Sequence, residues 1–169
     1  MSTDLTQQDM TDSGTAGIKV RPPLLFLVAL LLGFGMDHLV PLPFPVGGAG
    51  LGHWFSAYIA VGLLLIGVAV FAAGILNFSR AATPVQGTKP SRKLVTTGIH
   101  AWSRNPIYLG MVLALVGVGL VTRSPWILIL VLPFAMTIRY CVIAREETYL
   151  ERRFGDAYRD YKARVRRWL

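Results

Sequence analysis

The sequence has few cysteines and few charged residues, and both shortages exclude common kinds of protein. Cys141 is the single cysteine among 169 residues, so an intrachain disulfide framework and a zinc site made of several thiolates are excluded. Only 15% of the residues are charged, whereas soluble domains have about 25%. The chain also lacks a phosphate-binding loop, metal-ligand spacing and a nucleophile–base triad, so we expect no metal site.

The low content of charged residues is matched by long apolar runs, and 53% of the residues are hydrophobic. The runs cover residues 24–40, 54–76, 106–121 and about 126–143. Since a spanning helix needs about 20 apolar residues, they predict four transmembrane helices. The tight turn before the fourth run predicts that the last two helices are antiparallel, and Pro133 predicts a kink in the fourth.

The remaining segments complete the predicted organisation. Residues 1–21 are mostly polar, which predicts a disordered N-terminus, and residues 22–169 are expected to form a single membrane domain. Within the tail, one set of residues recurs at steps of three or four, which predicts an amphipathic helix on the membrane surface. These residues are Glu147, Leu150, Phe154, Tyr158, Tyr161 and Val165. The predicted fold class is therefore an all-α integral membrane protein with about four transmembrane helices and a C-terminal amphipathic helix.

The distribution of basic residues predicts the orientation in the membrane. With four spans, all 17 Lys and Arg residues except Arg123 fall on one side, and this side is expected to be cytoplasmic. Both termini would then be cytoplasmic, in a multi-pass protein of a bacterial-type inner membrane or an equivalent membrane. The net charge of +8 is explained by contact with membrane lipids, and we expect no nucleic-acid partner.

Residues 98–110 form a polar stretch between apolar runs, and many of its residues are of types with specific structural or chemical roles. Asn105 followed by Pro106 predicts a helix start, with the Asn side chain capping a free backbone N–H. Such a start at the membrane boundary attracts an anionic group. Arg104 adds a positive charge, and Tyr108 adds an aromatic ring one turn further. The alternative is that Asn105 only starts the helix and Arg104 is an interfacial anchor.

Two adjacent carboxylates, Glu146 and Glu147, follow the fourth apolar run. The hairpin between the last two spans brings them to the same membrane depth as Asn105. Because carboxylates near the bilayer are costly unless they are paired or bind a ligand, they predict a site for a cationic or hydroxyl-bearing ligand. Together with the helix start, they would suit a zwitterion. The alternative is local pairing, with Arg139, Arg145 or Arg153.

The two polar stretches together resemble the isoprenylcysteine carboxyl methyltransferases and the related phospholipid methyltransferases. The first is Gly-Ile-His-Ala-Trp-Ser-Arg-Asn-Pro-Ile-Tyr-Leu-Gly at 98–110. The second is Glu-Glu-Thr-Tyr-Leu followed by Phe-Gly-Asp-Ala-Tyr-Arg-Asp-Tyr, within 146–161. Asn105 stands where the carboxyl methyltransferases have His and is similar to the phospholipid version. Ile99 and His100 replace the usual Pro-Tyr.

The resemblance implies a helical membrane bundle that binds S-adenosylmethionine at its cytoplasmic face. The implied cofactor-binding residues are Gly98, Asn105, Pro106, Tyr108, Glu146 and Glu147. Arg104, Tyr108 and Glu147 are the expected catalytic residues, and His100 and Arg139 the expected substrate contacts. For His100, a solvent-facing loop position is the favoured alternative to a proton acceptor. For Arg139, the alternative is an inner-leaflet anchor.

The resemblance also implies a lipid-like or prenylated small-molecule substrate. An isoprenylcysteine-type carboxylate is the expected methyl acceptor, and a phospholipid amine is the alternative. Two other classes stay open at this point: a membrane NADPH-dependent reductase, and a lipid-binding bundle without enzymatic activity. Sterol and steroid reductases typically carry an Arg-Asp pair where this chain has Glu146-Glu147, which disfavours the reductase. The sequence does not give the oligomeric state.

Overall fold

The computed structural model describes residues 21–44, 51–83, 91 and 93–169, without the side chains of 51–55. Its described residues form helices and connecting turns, and none of them is in a strand, which confirms the all-α fold class. The predicted disordered segment 1–21 lies outside the described residues except for Arg21. So does part of the polar connector between the second and third apolar helices.

The described part of the chain includes four apolar helices, and their bounds follow the apolar runs. They are α1 (Pro22–Leu39), α2 (Leu51–Arg80), α3 (Pro106–Val121) and α4 (Pro125–Thr137). A π-helical turn, Ile138–Ile143, continues α4 into α5 (Ala144–Phe154). A 3₁₀ turn, Gly98–Ala101, precedes α3, and α6 (Asp156–Arg164) ends the helical part.

Three of these helices are long and apolar enough to cross a membrane: α1, α2 from Ser56 onward, and the continuous helix Pro125–Phe154. The shorter α3 has 16 residues, or about 24 Å, against about 30 Å for a bilayer core. Four crossings therefore stay a prediction, and three long apolar helices with one shorter apolar helix are the observed arrangement.

Close contact between α2 and α3 holds the start of α3 in place. A Cβ atom on Gly67 would collide with the backbone of Ala114, and one on Gly110 would collide with the backbone of Phe71. Small residues let helix backbones approach in this way.

The hairpin between α3 and α4 brings the carboxylates back to the start of α3. Thr122, Arg123 and Ser124 form the turn, with Arg123 in the left-handed region at φ +54°. The Ser124 hydroxyl caps α4 by accepting from the Ile127 N–H at 3.0 Å. Because both helices meet at this short turn, their far ends lie together, as predicted. Gly155, at φ +53°, then separates α5 from α6.

Candidate functional site

The start of α3 is built differently from the expected cap. Pro106 is the first helical residue, and the Asn105 side chain makes no capping hydrogen bond, so this part of the prediction is wrong. Instead, Asn105 Nδ2 donates to the carbonyl of Arg167 at 3.1 Å, and its backbone N–H donates to Ser103 Oγ at 3.2 Å. The amide nitrogen of Asn105 thus ties the helix start to the tail.

Glu146 is the most deeply enclosed carboxylate of the cluster, with 2% of its surface exposed. Tyr108 donates its hydroxyl to Glu146 Oε1 at 2.7 Å. The second oxygen, Oε2, is buried and has no hydrogen-bond partner among the described residues. A buried carboxylate oxygen without a donor is costly. This atom therefore points to a ligand that supplies a cation or a donor.

Glu147 lies beside Glu146 but faces two arginines. Arg167 donates from Nε to Oε1 at 3.0 Å and from Nη2 to Oε2 at 2.6 Å. Arg104 Nη2 lies 3.3 Å from Oε1. The alternative prediction of local pairing is wrong about the partners of Glu147. These partners are Arg104, in the stretch before α3, and Arg167, in the tail.

Arg104 supplies the positive charge of the cluster, and its side chain is only 9% exposed. Its Nε and Nη1 atoms are buried and have no hydrogen-bond partner among the described residues. The backbone N–H of Arg104 donates to the carbonyl of Arg166 at 3.0 Å, which fixes the residue against the tail. A guanidinium held inside the protein with two unused donor atoms is suited to bind an anion.

His100 does not lie in a solvent-facing loop position, because only 2% of its surface is exposed. Its carbonyl accepts the Tyr161 hydroxyl at 2.6 Å, and its ring packs edge-on against Phe78. Burial lowers the pKa of His100 from 6.5 to about 4, because the charged ring would lose its hydration. The imidazole is therefore neutral at pH 7.

Gly98 begins the 3₁₀ turn in the left-handed region, at φ +60°. A Cβ atom here would lie 2.8 Å from Asn77 Oδ1, so a larger residue would push Asn77 away. Asn77, near the end of α2, contacts both Thr97 and His100. Gly98 therefore lets Asn77 pack closely against the 3₁₀ turn. It also lines an open groove next to the cluster.

A small cavity of about 10 Å³ lies at the centre of these residues, which is room for about one water molecule. Its lining includes the sequence-predicted His100, Arg104, Asn105, Glu146 and Glu147. It also includes Val95, Leu150, Tyr158 and Tyr161. A second cavity of the same size reaches the predicted Pro106 and Tyr108. The structure thus collects the predicted residues of both polar stretches around one buried point.

Arg139 is the predicted residue that the structure does not bring to this cluster. It is exposed on the π turn, and its guanidinium lies 5.5 Å from the centre of the Tyr140 ring. An extra residue in a π turn rotates everything after it by about 100° relative to a straight α-helix. The same turn sets the direction in which Glu146 and Glu147 point, and the sequence pattern does not reveal it.

Two important residues were missed by sequence reasoning. Arg167 belongs to a run of basic residues in which nothing distinguishes it from Arg166. Asn77 was passed over as the start of a polar connector, although a single amide at the end of an apolar helix is a usable signal. Among the described residues, no group of three or more His, Cys, Asp and Glu side chains is placed to hold a metal ion.

A sequence model of the phospholipid methyltransferase family matches residues 55–157, which include most of the site. No solved structure matches the chain.

Three individual relatives are similar to parts of this chain. The protein-S-isoprenylcysteine O-methyltransferase of Rattus norvegicus is 35% identical over 123 residues, covering 66% of this chain and 40% of the relative. The nickel-cobalt-cadmium resistance protein NccN of Alcaligenes xylosoxydans xylosoxydans is 30% identical over 116 residues, covering 69% of this chain and 54% of the relative. An uncharacterized Haemophilus influenzae protein is 46% identical over 63 residues, which are 37% of this chain and all of that protein. The match thus spans about half or less of the two larger relatives. The chain belongs to the family of phospholipid and isoprenylcysteine methyltransferases.

Proposed function

We propose that the protein is a membrane methyltransferase that uses S-adenosylmethionine and methylates a carboxylate on a lipid-like acceptor. The observation that carries this proposal is the pair of unused buried groups. Glu146 Oε2 requires a cation or donor, and Arg104 Nε and Nη1 require an acceptor. A site with both requirements suits a cationic methyl donor together with an anionic methyl acceptor.

The residues of the cluster fit the charges of S-adenosylmethionine. The carboxylates of Glu146 and Glu147 would hold its positively charged part, and the first turn of α3 offers backbone N–H groups for its carboxylate. The cavity itself is far too small for a nucleoside. Residues 165–169, which cover the site through the carbonyls of Arg166 and Arg167, would have to move when the cofactor binds.

The apolar part of the acceptor has a place beside the cluster. An open groove of about 370 Å³, lined mostly by apolar side chains, runs between α2 and the start of α3. Val70, Trp102 and Leu109 lie along it, and Gly98 and Pro106 line it as well. Because α3 is shorter than the bilayer core is thick, the cluster would lie close to the acyl chains. A prenyl or acyl chain fits this groove.

In methyl transfer, the protein contributes positioning of the reactants and electrostatic stabilisation. When bound, the cofactor supplies a methyl group that is already activated by its sulfonium charge. A carboxylate acceptor needs no base, so the tasks left to the chain are holding both reactants and excluding water. Arg104 would hold the acceptor, and the Tyr108 ring would favour the positive charge beside it.

The proposed orientation places this site and both termini at the cytoplasmic face. The asymmetry of the basic residues in the sequence supports it, since four spans would leave only Arg123 of the Lys and Arg residues on the opposite side. A bacterial-type inner membrane, or an equivalent one, is the proposed location.

Calorimetry with S-adenosylhomocysteine on detergent-purified protein tests the cofactor assignment. We expect micromolar binding by the wild type and a loss of at least about tenfold in Glu146→Gln, which keeps the shape and removes the carboxyl group that would pair with the ligand's cation. Glu151→Gln is the matched control, because Glu151 pairs with Arg159 and Lys162 outside the cavity. Absence of binding by folded wild-type protein, with binding of NADPH instead, would refute the methyltransferase and favour a reductase.

A further inference from the structure

The apolar face of the C-terminal helices packs against the protein itself. The periodicity of the sequence predicts that this face rests on the membrane, but Tyr158 and Tyr161 are only 1% and 4% exposed, and Leu150 is 5% exposed. These side chains pack together with Leu94 from the polar connector. The Tyr161 hydroxyl also donates to the His100 carbonyl at 2.6 Å. Any lipid contact of the tail therefore has to be made by other residues.

Two large apolar side chains are exposed next to the start of α3. Trp102 is 82% exposed and Leu169 is 77% exposed. Both line the open groove of about 370 Å³, so they lie close to each other. Tryptophan is enriched at the level of the lipid headgroups, where the indole ring contacts acyl chains and its N–H reaches polar groups. An exposed pair of this kind is typical of a membrane interface.

The level of Trp102 along the bundle is the level at which the apolar surface ends. Ile107, in the first turn of α3, packs against α2 at Gly74, where an added Cβ atom would lie 2.6 Å from the Ile107 side chain. The apolar run of α2 ends three residues further on, at Asn77. Trp102 lines the groove together with Pro106, the first residue of α3. It therefore lies at the boundary between the bilayer and the polar end of the bundle.

Two exposed arginines lie at the end of α6 and just after it. They are Arg164 and Arg166. Neither is paired with a carboxylate among the residues that the structure describes, whereas Arg159 and Lys162 on the same helix are paired with Glu151. Two positive charges at the end of the tail are thus available for an anionic partner.

A backbone contact holds these arginines near the exposed indole. The Arg166 carbonyl accepts the Arg104 N–H at 3.0 Å, and Arg104 follows Trp102 by two residues. We call Trp102, Arg164, Arg166 and Leu169 the interfacial patch. Its apolar members suit the acyl chains, and its guanidinium groups suit phosphate, which arginine binds through two parallel hydrogen bonds. This combination is complementary to an anionic phospholipid.

We propose that the interfacial patch binds the headgroups of anionic phospholipids, and that these headgroups compete with Glu147 for the guanidinium of Arg167. The second part rests on the proposed function, because Arg167 closes the proposed cofactor site. An anionic membrane surface attracts nearby basic residues. Lipid binding to the patch would therefore draw the end of the tail towards the headgroups.

Arg167 lies between the interfacial patch and the site. Its side chain is 30% exposed, and its guanidinium donates to both oxygens of Glu147, at 3.0 and 2.6 Å. A phosphate group offers the same pair of acceptors. Exchange of the carboxylate for a headgroup would free Glu147 and favour the open position of residues 165–169, which cofactor binding requires.

The lipid contact can be measured without any cofactor. Brominated phosphatidylglycerol and brominated phosphatidylcholine in proteoliposomes quench tryptophans that touch the lipid, and the difference from a Trp102→Phe version isolates Trp102. We expect quenching with a preference for phosphatidylglycerol of at least about fivefold, the effect of one basic residue near an anionic surface. Arg164→Gln/Arg166→Gln should reduce this preference towards unity. Arg159→Gln/Lys162→Gln, which removes the same charge from paired residues of α6, should retain it.

Two results would overturn the interfacial patch. If neither lipid quenches Trp102, the indole lies in water and the patch is wrong. If both lipids quench it equally, or if the control variant loses as much preference as Arg164→Gln/Arg166→Gln, the assignment of anionic headgroups is wrong.

The competition for Arg167 is tested by S-adenosylhomocysteine binding in phosphatidylcholine nanodiscs with and without phosphatidylglycerol. We expect the wild type to bind about fivefold more tightly when phosphatidylglycerol is present, and Arg164→Gln/Arg166→Gln to gain less. Arg167→Ala, which has no guanidinium to release, should bind equally in both membranes. Equal or weaker binding by the wild type with phosphatidylglycerol, or a gain that persists in Arg167→Ala, would refute the competition.

Failure of the proposed function would give a different result. If S-adenosylhomocysteine binds in neither nanodisc while Trp102 still prefers phosphatidylglycerol, the cofactor assignment fails and the interfacial patch stands. Soluble glycerol phosphate distinguishes a bilayer from a free phosphate. If it tightens S-adenosylhomocysteine binding in phosphatidylcholine nanodiscs as much as phosphatidylglycerol does, the partner is not a lipid surface and the proposal is wrong.

Discussion

The ion pair between Arg167 and Glu147 closes the site, and its removal is expected to tighten ligand binding. In this structure, both oxygens of Glu147 are occupied by Arg167, at 3.0 and 2.6 Å. A cation of the incoming cofactor has to compete with that guanidinium. Arg167→Ala removes the competitor and leaves the carboxylate in place.

The magnitude follows from the geometry. Charge-assisted hydrogen bonds contribute about 1.5–3 kcal/mol when buried, and exposed ion pairs contribute about 0–1 kcal/mol. The Arg167 side chain is 30% exposed, and it regains water when the tail opens. A net value of about 1.5 kcal/mol is therefore reasonable, which corresponds to about tenfold in affinity. The contacts of the Arg166 and Arg167 carbonyls remain, so residues 165–169 should keep their place in the absence of ligand.

The assay is calorimetry with S-adenosylhomocysteine, together with association rates from stopped-flow fluorescence. Arg167→Ala should bind about tenfold more tightly and associate faster. Arg166→Ala, which removes the same charge from an exposed neighbour, should behave like the wild type. Weaker binding by Arg167→Ala alone would show that Arg167 holds the ligand, and the reasoning about competition would be refuted.

Three further predictions concern stability. Tyr108→Phe removes the donor to Glu146 Oε1 and should destabilise the fold by about 1–3 kcal/mol in thermal unfolding, whereas the exposed Tyr140→Phe should not; equal melting temperatures would contradict this role of the hydroxyl. Gly98→Ala should cost more than Gly155→Ala, because both have positive φ but only the former places a Cβ against Asn77, at 2.8 Å; equal losses in denaturant unfolding would exclude the collision. Because the pKa of His100 is lowered from 6.5 to about 4, its contribution is complete above pH 6.5 and is lost as the pH falls towards 4, where the unfolded state binds the proton more readily. Acid titration of the wild type should therefore show a loss of stability across this interval that is reduced in His100→Gln; the same loss in both proteins would assign it to other groups.

Much of the fold could be predicted because its signals are local. The bounds of α3 follow from Asn105, Pro106 and an apolar run, and the break at Gly155 follows from a glycine before an acidic residue. Hydrophobic runs of this length predict the other helices in the same way. The prediction that Glu146 and Glu147 lie near the start of α3 needed only the short hairpin, since two helices joined by a tight turn have their far ends together.

The partners within the site could not be predicted in this way. Glu147 has several arginines within reach in the sequence, and the selection of Arg167 depends on how the segment after α6 crosses the start of α3. The Asn105 side chain also depends on that segment, because its amide nitrogen donates to the Arg167 carbonyl and the side chain makes no capping bond. The burial of His100 depends on Asn77 and Tyr161, which are distant in the chain.

The sequence by itself therefore determined the helices, the all-α class and the two polar stretches that meet, because hydrophobicity and backbone preferences act over a few residues. Only the tertiary structure decided which donor faces which acceptor. The π turn sets the direction of the two carboxylates, and packing against Phe78 and Tyr161 buries His100. Hydrogen bonds and ion pairs require contact within a few ångströms, and that contact is made between residues that the sequence separates by 20 or more positions.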